Sequence, residues 1–314
     1  MISRSAPPPD VPMRASELPL PEATVLPNGM RLLMLPDKRA PVVEFRLILP
    51  YAGRAYDAPD WIGLSSAAAR LLTAGTPTRN SFEIADEADR YGGYISASAN
   101  TETAILSARC LTQHLEPMTQ LIADVLLNPT FPNDEVEIDR ANTLQRLRLQ
   151  RSQPAFLAEE RFRSALFGEH PYRRLAPDED ALQRWGHEHL QAFHAARYRP
   201  QGATLLTVGD FEPETAQTVW QDALSTWQGT VEQEPVPTPP MQNAEIGWLL
   251  VERPNSVQSQ IMLGALCPPR TAPDSLALQV AVSVLGAGAS SRLFLTVREQ
   301  YGYAYSVGAY LDYY

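Results

Sequence analysis

The feature that most limits how this chain can fold is a break in composition near its last quarter. Residues 230–242 hold four prolines and little apolar content. Such a stretch supports neither a helix interior nor a central strand, and it reads as a linker. The predicted organisation is a proline-rich flexible lead-in at residues 1–22, a large unit at 23–229, the linker at 230–245 and a partial second unit at 246–314. In the large unit, Asn28-Gly29 is a hairpin-turn signal, followed by predicted strands at 30–35 and 42–49. Helices are predicted at 63–72 and 81–91, the second with capping-box spacing between Asn80 and Glu83. Residues 94–100 and 102–109 alternate like paired strands. Helices follow at 115–127, 134–150, 155–167 and 178–197, then a strand at 203–208 and a helix at 213–227. The second unit begins as the first does, with strands predicted at 248–251 and 258–266, helices at 276–285 and 291–300, and a strand at 303–310. The fold class is therefore α+β: an antiparallel-rich sheet with helices packed on one face, repeated, the second repeat incomplete. A sheet that stopped there would leave a bare edge, so it is expected to be completed elsewhere or cut short.

Composition excludes several functions. The net charge of −10 without any basic run argues against nucleic acid as a partner. No apolar run is long enough to span a membrane. Cys110 and Cys267 have no Cys-x-x-Cys spacing and read as free thiols. Residues 1–20 have five prolines and no apolar stretch, which is not a signal peptide as written. The compartment stays open, cytoplasmic by default and periplasmic if the start codon is misplaced. Histidines offer no clear metal site. His187 and His189 point apart on a helix, His194 lies two turns from His187, and His114 and His170 have no partner at helical or strand spacing.

Several short strings, in order, resemble the pitrilysin or insulinase family of inverted-motif zinc peptidases. They are Leu26-Pro27-Asn28-Gly29, Gly63-Leu64, Gly75-Thr76, Gly92-Gly93, Pro129 with Phe131, His170-Pro171-Tyr172, Tyr198-x-Pro200, Val208-Gly209-Asp210 and Ser291-Arg292-Leu293-Phe294 leading into residues 298–305. Peptide-hydrolysing members carry His-x-x-Glu-His on the helix after the Gly-Leu pair, with a further Glu ligand on a later helix. The resemblance places those roles on Ser66, Ala69, Arg70 and Arg146. None of the four can serve: alanine has no proton acceptor, and arginine is always protonated and cannot ligate. No catalytic residue, metal or cofactor is therefore expected on this chain alone. The same alignment brings Arg70 and Arg146 together, so a carboxylate or bound anion is expected between them.

The resemblance also implies what survives. Family members place an arginine and a tyrosine seven apart in the second unit, where the pair binds the substrate carbonyl. Here these are Arg298 and Tyr305, with Gly302 between and Arg292, Tyr301 and Tyr303 in the same segment. Without the resemblance, Tyr305 would read as a core strand residue and Arg298 as a solvated helix charge. The implied role is a non-catalytic, substrate-binding subunit. It would support zinc-dependent hydrolysis of an extended peptide by a zinc-bearing subunit of the same family. The alternative is a structural scaffold in a larger assembly, in which Arg298 and Tyr305 are relics. A third reading is a decayed or truncated gene.

Overall fold

The computed structural model describes residues 19–233, 235–239 and 247–314. Most of the expected lead-in and part of the expected linker lie outside these residues. The fold is α+β. Six strands form one open sheet: β1 (Glu22–Val25), β2 (Arg31–Pro36), β3 (Val42–Pro50), β4 (Tyr94–Ala99), β5 (Thr103–Leu111) and β6 (Thr204–Gly209). Their order is β1-β2-β6-β3-β5-β4. Every neighbouring pair is antiparallel except β2 with β6, which runs parallel with Leu32 opposite Leu205.

Alternation sets the two faces of the sheet. On β3, Val43, Phe45, Leu47 and Leu49 are buried, while Glu44 and Arg46 are exposed. Ala104, Leu106, Ala108 and Cys110 do the same on β5. This is the signature of a sheet covered on one side only. The covering layer includes α1 (Leu64–Arg70), α2 (Ser81–Arg90), α3 (Leu115–Leu127) and α8 (Pro213–Ala223). From α8, Trp220 packs edge-on against Phe45 at 5.4 Å and its indole N–H donates to Thr207 Oγ1 at 3.2 Å. The predicted capping box starts α2: Asn80 Oδ1 accepts from the Glu83 N–H at 2.9 Å, and Glu83 Oε2 accepts from the Asn80 N–H at 2.8 Å. At the end of that helix, Gly93 lies so close to Arg109 that a Cβ there would sit 1.6 Å from its carbonyl oxygen. Only glycine lets β4 enter the sheet at that point.

Helices α4 (Asn133–Arg151) and α5 (Pro154–Phe167) follow. The single helix expected at 178–197 is two, α6 (Glu179–Arg184) and α7 (His187–Arg197). Trp185 and Gly186 between them are extended, and Trp185 is buried. The break is held by Arg140 of α4. Its guanidinium donates to the carbonyls of Leu182 and Trp185 and lies 5.3 Å from the Trp185 ring. Carbonyls left open at the end of α6 are thus satisfied from another helix.

The second unit departs most from expectation. Helix α9 (Ser275–Gly286) and a π-helical stretch, Phe294–Gln300, are present. The stretches predicted as strands at 248–251, 258–266 and 303–310 join no ladder; among the described residues no strand lies beyond β6. Their apolar side chains stand in solvent, Trp248 and Leu263 both at 97% exposure. A strand needs a neighbour to receive its backbone groups, and alternation in sequence cannot supply one. No helix among the described residues is long and apolar enough to cross a membrane.

Candidate functional site

The site begins at α1. Gly63 enters it with φ +96°, a left-handed conformation that suits glycine. The cap is supplied from a distance: the Asp57 carboxylate accepts the backbone N–H groups of Gly63 at 2.7 Å and Ser65 at 2.8 Å. Burial pushes the Asp57 carboxyl up to about 6, outweighing these donors and the nearby Arg174 guanidinium. The helix then runs Leu64-Ser65-Ser66-Ala67-Ala68-Ala69-Arg70. Ala67, Ala68 and Ala69 are wholly buried, and Ser66 is half-buried.

Arg70 closes α1 and reaches α4. Its Nε donates to Asp139 Oδ1 at 2.7 Å and its Nη2 to Asp139 Oδ2 at 2.8 Å, a bidentate pair. Nη2 also lies 3.2 Å from Thr143 Oγ1. Arg146 is one further step along the same helical stripe, since 139, 143 and 146 follow the i, i+4, i+7 pattern. It is exposed, and no hydrogen bond or ion pair reaches it among the described residues. The carboxylate that answers Arg70 is therefore Asp139, about two turns before Arg146. Asp139 and Thr143 were missed by sequence reasoning; their helical spacing from Arg146 was the available signal.

These residues do not fit a zinc ion. Ala69 brings no donor atom, and the Arg70 guanidinium is a fixed cation already held by a carboxylate. The histidines are occupied elsewhere. His187 Nδ1–H donates to the Phe131 carbonyl and His194 Nε2–H to the Leu126 carbonyl, each at 2.8 Å. The ring of His189 packs on Trp61 at 4.7 Å and that of His114 on Tyr91 at 5.4 Å. His170 accepts the Tyr172 N–H at Nδ1, 3.2 Å, while Nε2–H donates to the Pro237 carbonyl at 2.5 Å. Among the described residues, no group of three or more His, Cys, Asp or Glu could hold a metal. Cys110 is buried and Cys267 half-buried; both are free, and burial pushes the Cys110 thiol up to about 12.

Arg298 and Tyr305 are brought together. The guanidinium lies 4.5 Å from the Tyr305 ring centre and 4.7 Å from that of Phe294, with Glu299 at 3.5 Å. Gly302, at φ +65°, turns the chain between them. Tyr305 is 84% exposed and therefore available to a ligand. Tyr301 and Tyr303 stack on each other at 5.3 Å, apart from this pair, and Arg292 is exposed. No hydrogen bond or ion pair joins Arg298 or Tyr305 to α1 or α4 among the described residues.

The antiparallel-rich sheet with helices on one face thus carries, on α1, a run of serine and alanine closed by an arginine that a carboxylate of α4 holds. Residues 35–176 match the insulinase family of peptidases (family M16), and residues 184–314 match the M16 peptidase inactive domain. The chain belongs to this family. It is 28% identical over 293 residues to an uncharacterized zinc protease of Mycobacterium leprae, covering 92% of this chain and 65% of that one. With an uncharacterized zinc protease of Mycobacterium tuberculosis the identity is 30% over 307 residues, covering 93% and 67%. The chain thus spans about two thirds of the length of these relatives. The fold is shared with the crystal structure of a peptidase M16 inactive domain from Pseudomonas fluorescens, with TM-score 0.78, 22% identity and coverage of 92% of this chain and 70% of that one. It is shared also with pitrilysin, with TM-score 0.62, 16% identity and coverage of 70% and 24%.

Proposed function

We propose that this chain is a non-catalytic, substrate-binding subunit that supports peptide hydrolysis by a zinc-bearing family partner. The observation that carries the reading is the contrast between two places in the chain. Where a metal site would need donors, Ser66, Ala69 and Arg70 stand, and Arg70 is tied to Asp139. Where a substrate carbonyl would need hydrogen-bond donors, Arg298 and Tyr305 stand side by side with the tyrosine exposed. Arg offers a permanent charge and Tyr a rigid hydroxyl, both suited to an oxygen on which negative charge develops. The substrate in this reading is an extended peptide. Among the described residues strand β4 pairs with β5 alone and leaves one edge to which such a peptide can add. Zinc belongs to the partner.

The test is an assembly reconstituted with a zinc-bearing family subunit. Tyr305→Phe is expected to lower kcat on the order of a hundredfold while leaving assembly intact. Arg298→Ala is expected to weaken peptide binding and rate together, and Arg292→Ala to act more mildly. If Tyr305→Phe and Arg298→Ala both leave the assembled activity unchanged, the chain is a structural scaffold instead.

A further inference from the structure

A second aromatic site lies on the large unit, distinct from the Arg298–Tyr305 pair. Three buried side chains form it: Arg163 and Phe167 from α5, and Tyr172 from the turn that follows, against which His170 packs at 4.5 Å. Each wall is fixed by a contact made within the large unit or with the linker. Arg163 donates to the Tyr172 carbonyl at 3.3 Å and to Glu159 at 3.4 Å. The Tyr172 hydroxyl donates to Glu102, His170 is held through both ring nitrogens, and Phe167 meets Tyr172 edge-on at 5.9 Å.

The space between these walls takes one ring, that of Tyr314. It stacks on Tyr172 at 4.8 Å with 29° between planes and meets Phe167 edge-on at 5.9 Å. The Arg163 guanidinium lies 5.0 Å from the ring centre and donates to the hydroxyl. A stacking face, an edge contact, a cation over the ring and a donor at the phenol oxygen together select tyrosine. The segment that delivers this ring joins no strand ladder, and its Ala309 N–H donates to the Gly286 carbonyl at 3.3 Å, while Tyr303, Tyr305 and Tyr310 along it stand in solvent.

We infer that the cage of Arg163, Phe167 and Tyr172 is a binding site for a tyrosine side chain of an extended peptide, and that Tyr314 occupies it as an internal competitor. Tyr314 is itself 39% exposed and its hydroxyl donates to Asp312 at 2.7 Å, so the ring sits at the mouth of the cage, where a tyrosine of a peptide can replace it. The inference deepens the reading of this chain as a peptide-binding subunit and rests on that reading alone, not on catalysis in a partner.

The experiment uses the full chain and a capped heptapeptide with one central tyrosine, beside the same peptide with central alanine. Tyr314→Ala is expected to bind the tyrosine peptide at least tenfold more tightly than the unaltered chain, with the alanine peptide unchanged. Adding Arg163→Met should remove the gain. Equal affinity of variant and unaltered chain for the tyrosine peptide, or a gain shared by the alanine peptide, overturns the inference. Should Tyr314→Ala not fold, the unaltered chain gives the answer. Saturating tyrosine peptide should speed nitration of Tyr314 by tetranitromethane severalfold, and an unchanged rate overturns the proposal. These readouts are binding and accessibility. A functional cage with silent Tyr305→Phe and Arg298→Ala variants would leave a peptide-binding scaffold, and the reverse pattern would leave the catalytic support without the cage.

Discussion

Arginine at position 70 ties α1 to α4. A charge-assisted bidentate pair at 2.7 and 2.8 Å does the joining, with the Asp139 side chain 11% exposed. Hydrogen bonds to charged groups of this kind contribute about 2 kcal/mol. Asp139→Ala should therefore lower unfolding stability by about 2 kcal/mol, and a double-mutant cycle with Arg70→Ala should return a favourable coupling. Additive losses in denaturant titration would show that the pair contributes nothing. Asp57 makes a different claim. Its carboxyl is raised to about 6 by burial, so the folded chain holds a proton that the unfolded chain releases near pH 4. Its contribution to stability is complete below about pH 4 and is lost as pH rises through about 6. Asp57→Asn should remove that fall. The stability of the unaltered chain minus that of the variant should drop between pH 4 and pH 7 by on the order of 2 kcal/mol. A difference that stays flat or rises over this range would contradict the assignment. Of these residues, the sequence exposed Arg70 and Arg146 through resemblance. Asp57 and Asp139 were hidden because their roles depend on contacts 8 and 69 residues away along the chain.

At the scale of elements, local chemistry was readable wherever it sufficed. The capping box of α2 needs only Asn80 and Glu83, and helix α3 runs over the predicted residues because its apolar period is unbroken. Asn80→Ala should cost about 1 kcal/mol, read as a lower thermal midpoint, and Glu83→Gln less. No change with Asn80→Ala would mean that packing alone holds the helix. Strand β1 was missed because its four residues are mostly exposed and carry no alternation. The break between α6 and α7 was missed because it depends on Arg140, 45 residues from Trp185. The second unit shows the converse: residues 258–266 have strand composition but join no ladder. Composition sets which side chains can lie on a sheet, and a neighbour decides whether one forms.

For the molecule as a whole, the arrangement makes a prediction about metal. The purified chain, incubated with zinc and dialysed, should retain no stoichiometric ion and cleave no peptide alone. Elemental analysis finding about one zinc per chain, lost on replacing any of its histidines, would refute this. The sheet itself carries a further consequence, for synthesis. Its middle strand, β6, arrives last and joins β2 on one side to β3 on the other. Until residue 209 has emerged, a growing chain holds two separate fragments, the β1–β2 hairpin and the three-stranded β3-β5-β4 sheet. Each exposes a long unsatisfied edge in the meantime. Closure across so much intervening chain is entropically slow, and the half-made sheet is the species most open to aggregation. A ribosome pausing shortly before that point would prolong the risk, and one pausing after it would let the sheet close on the nascent chain.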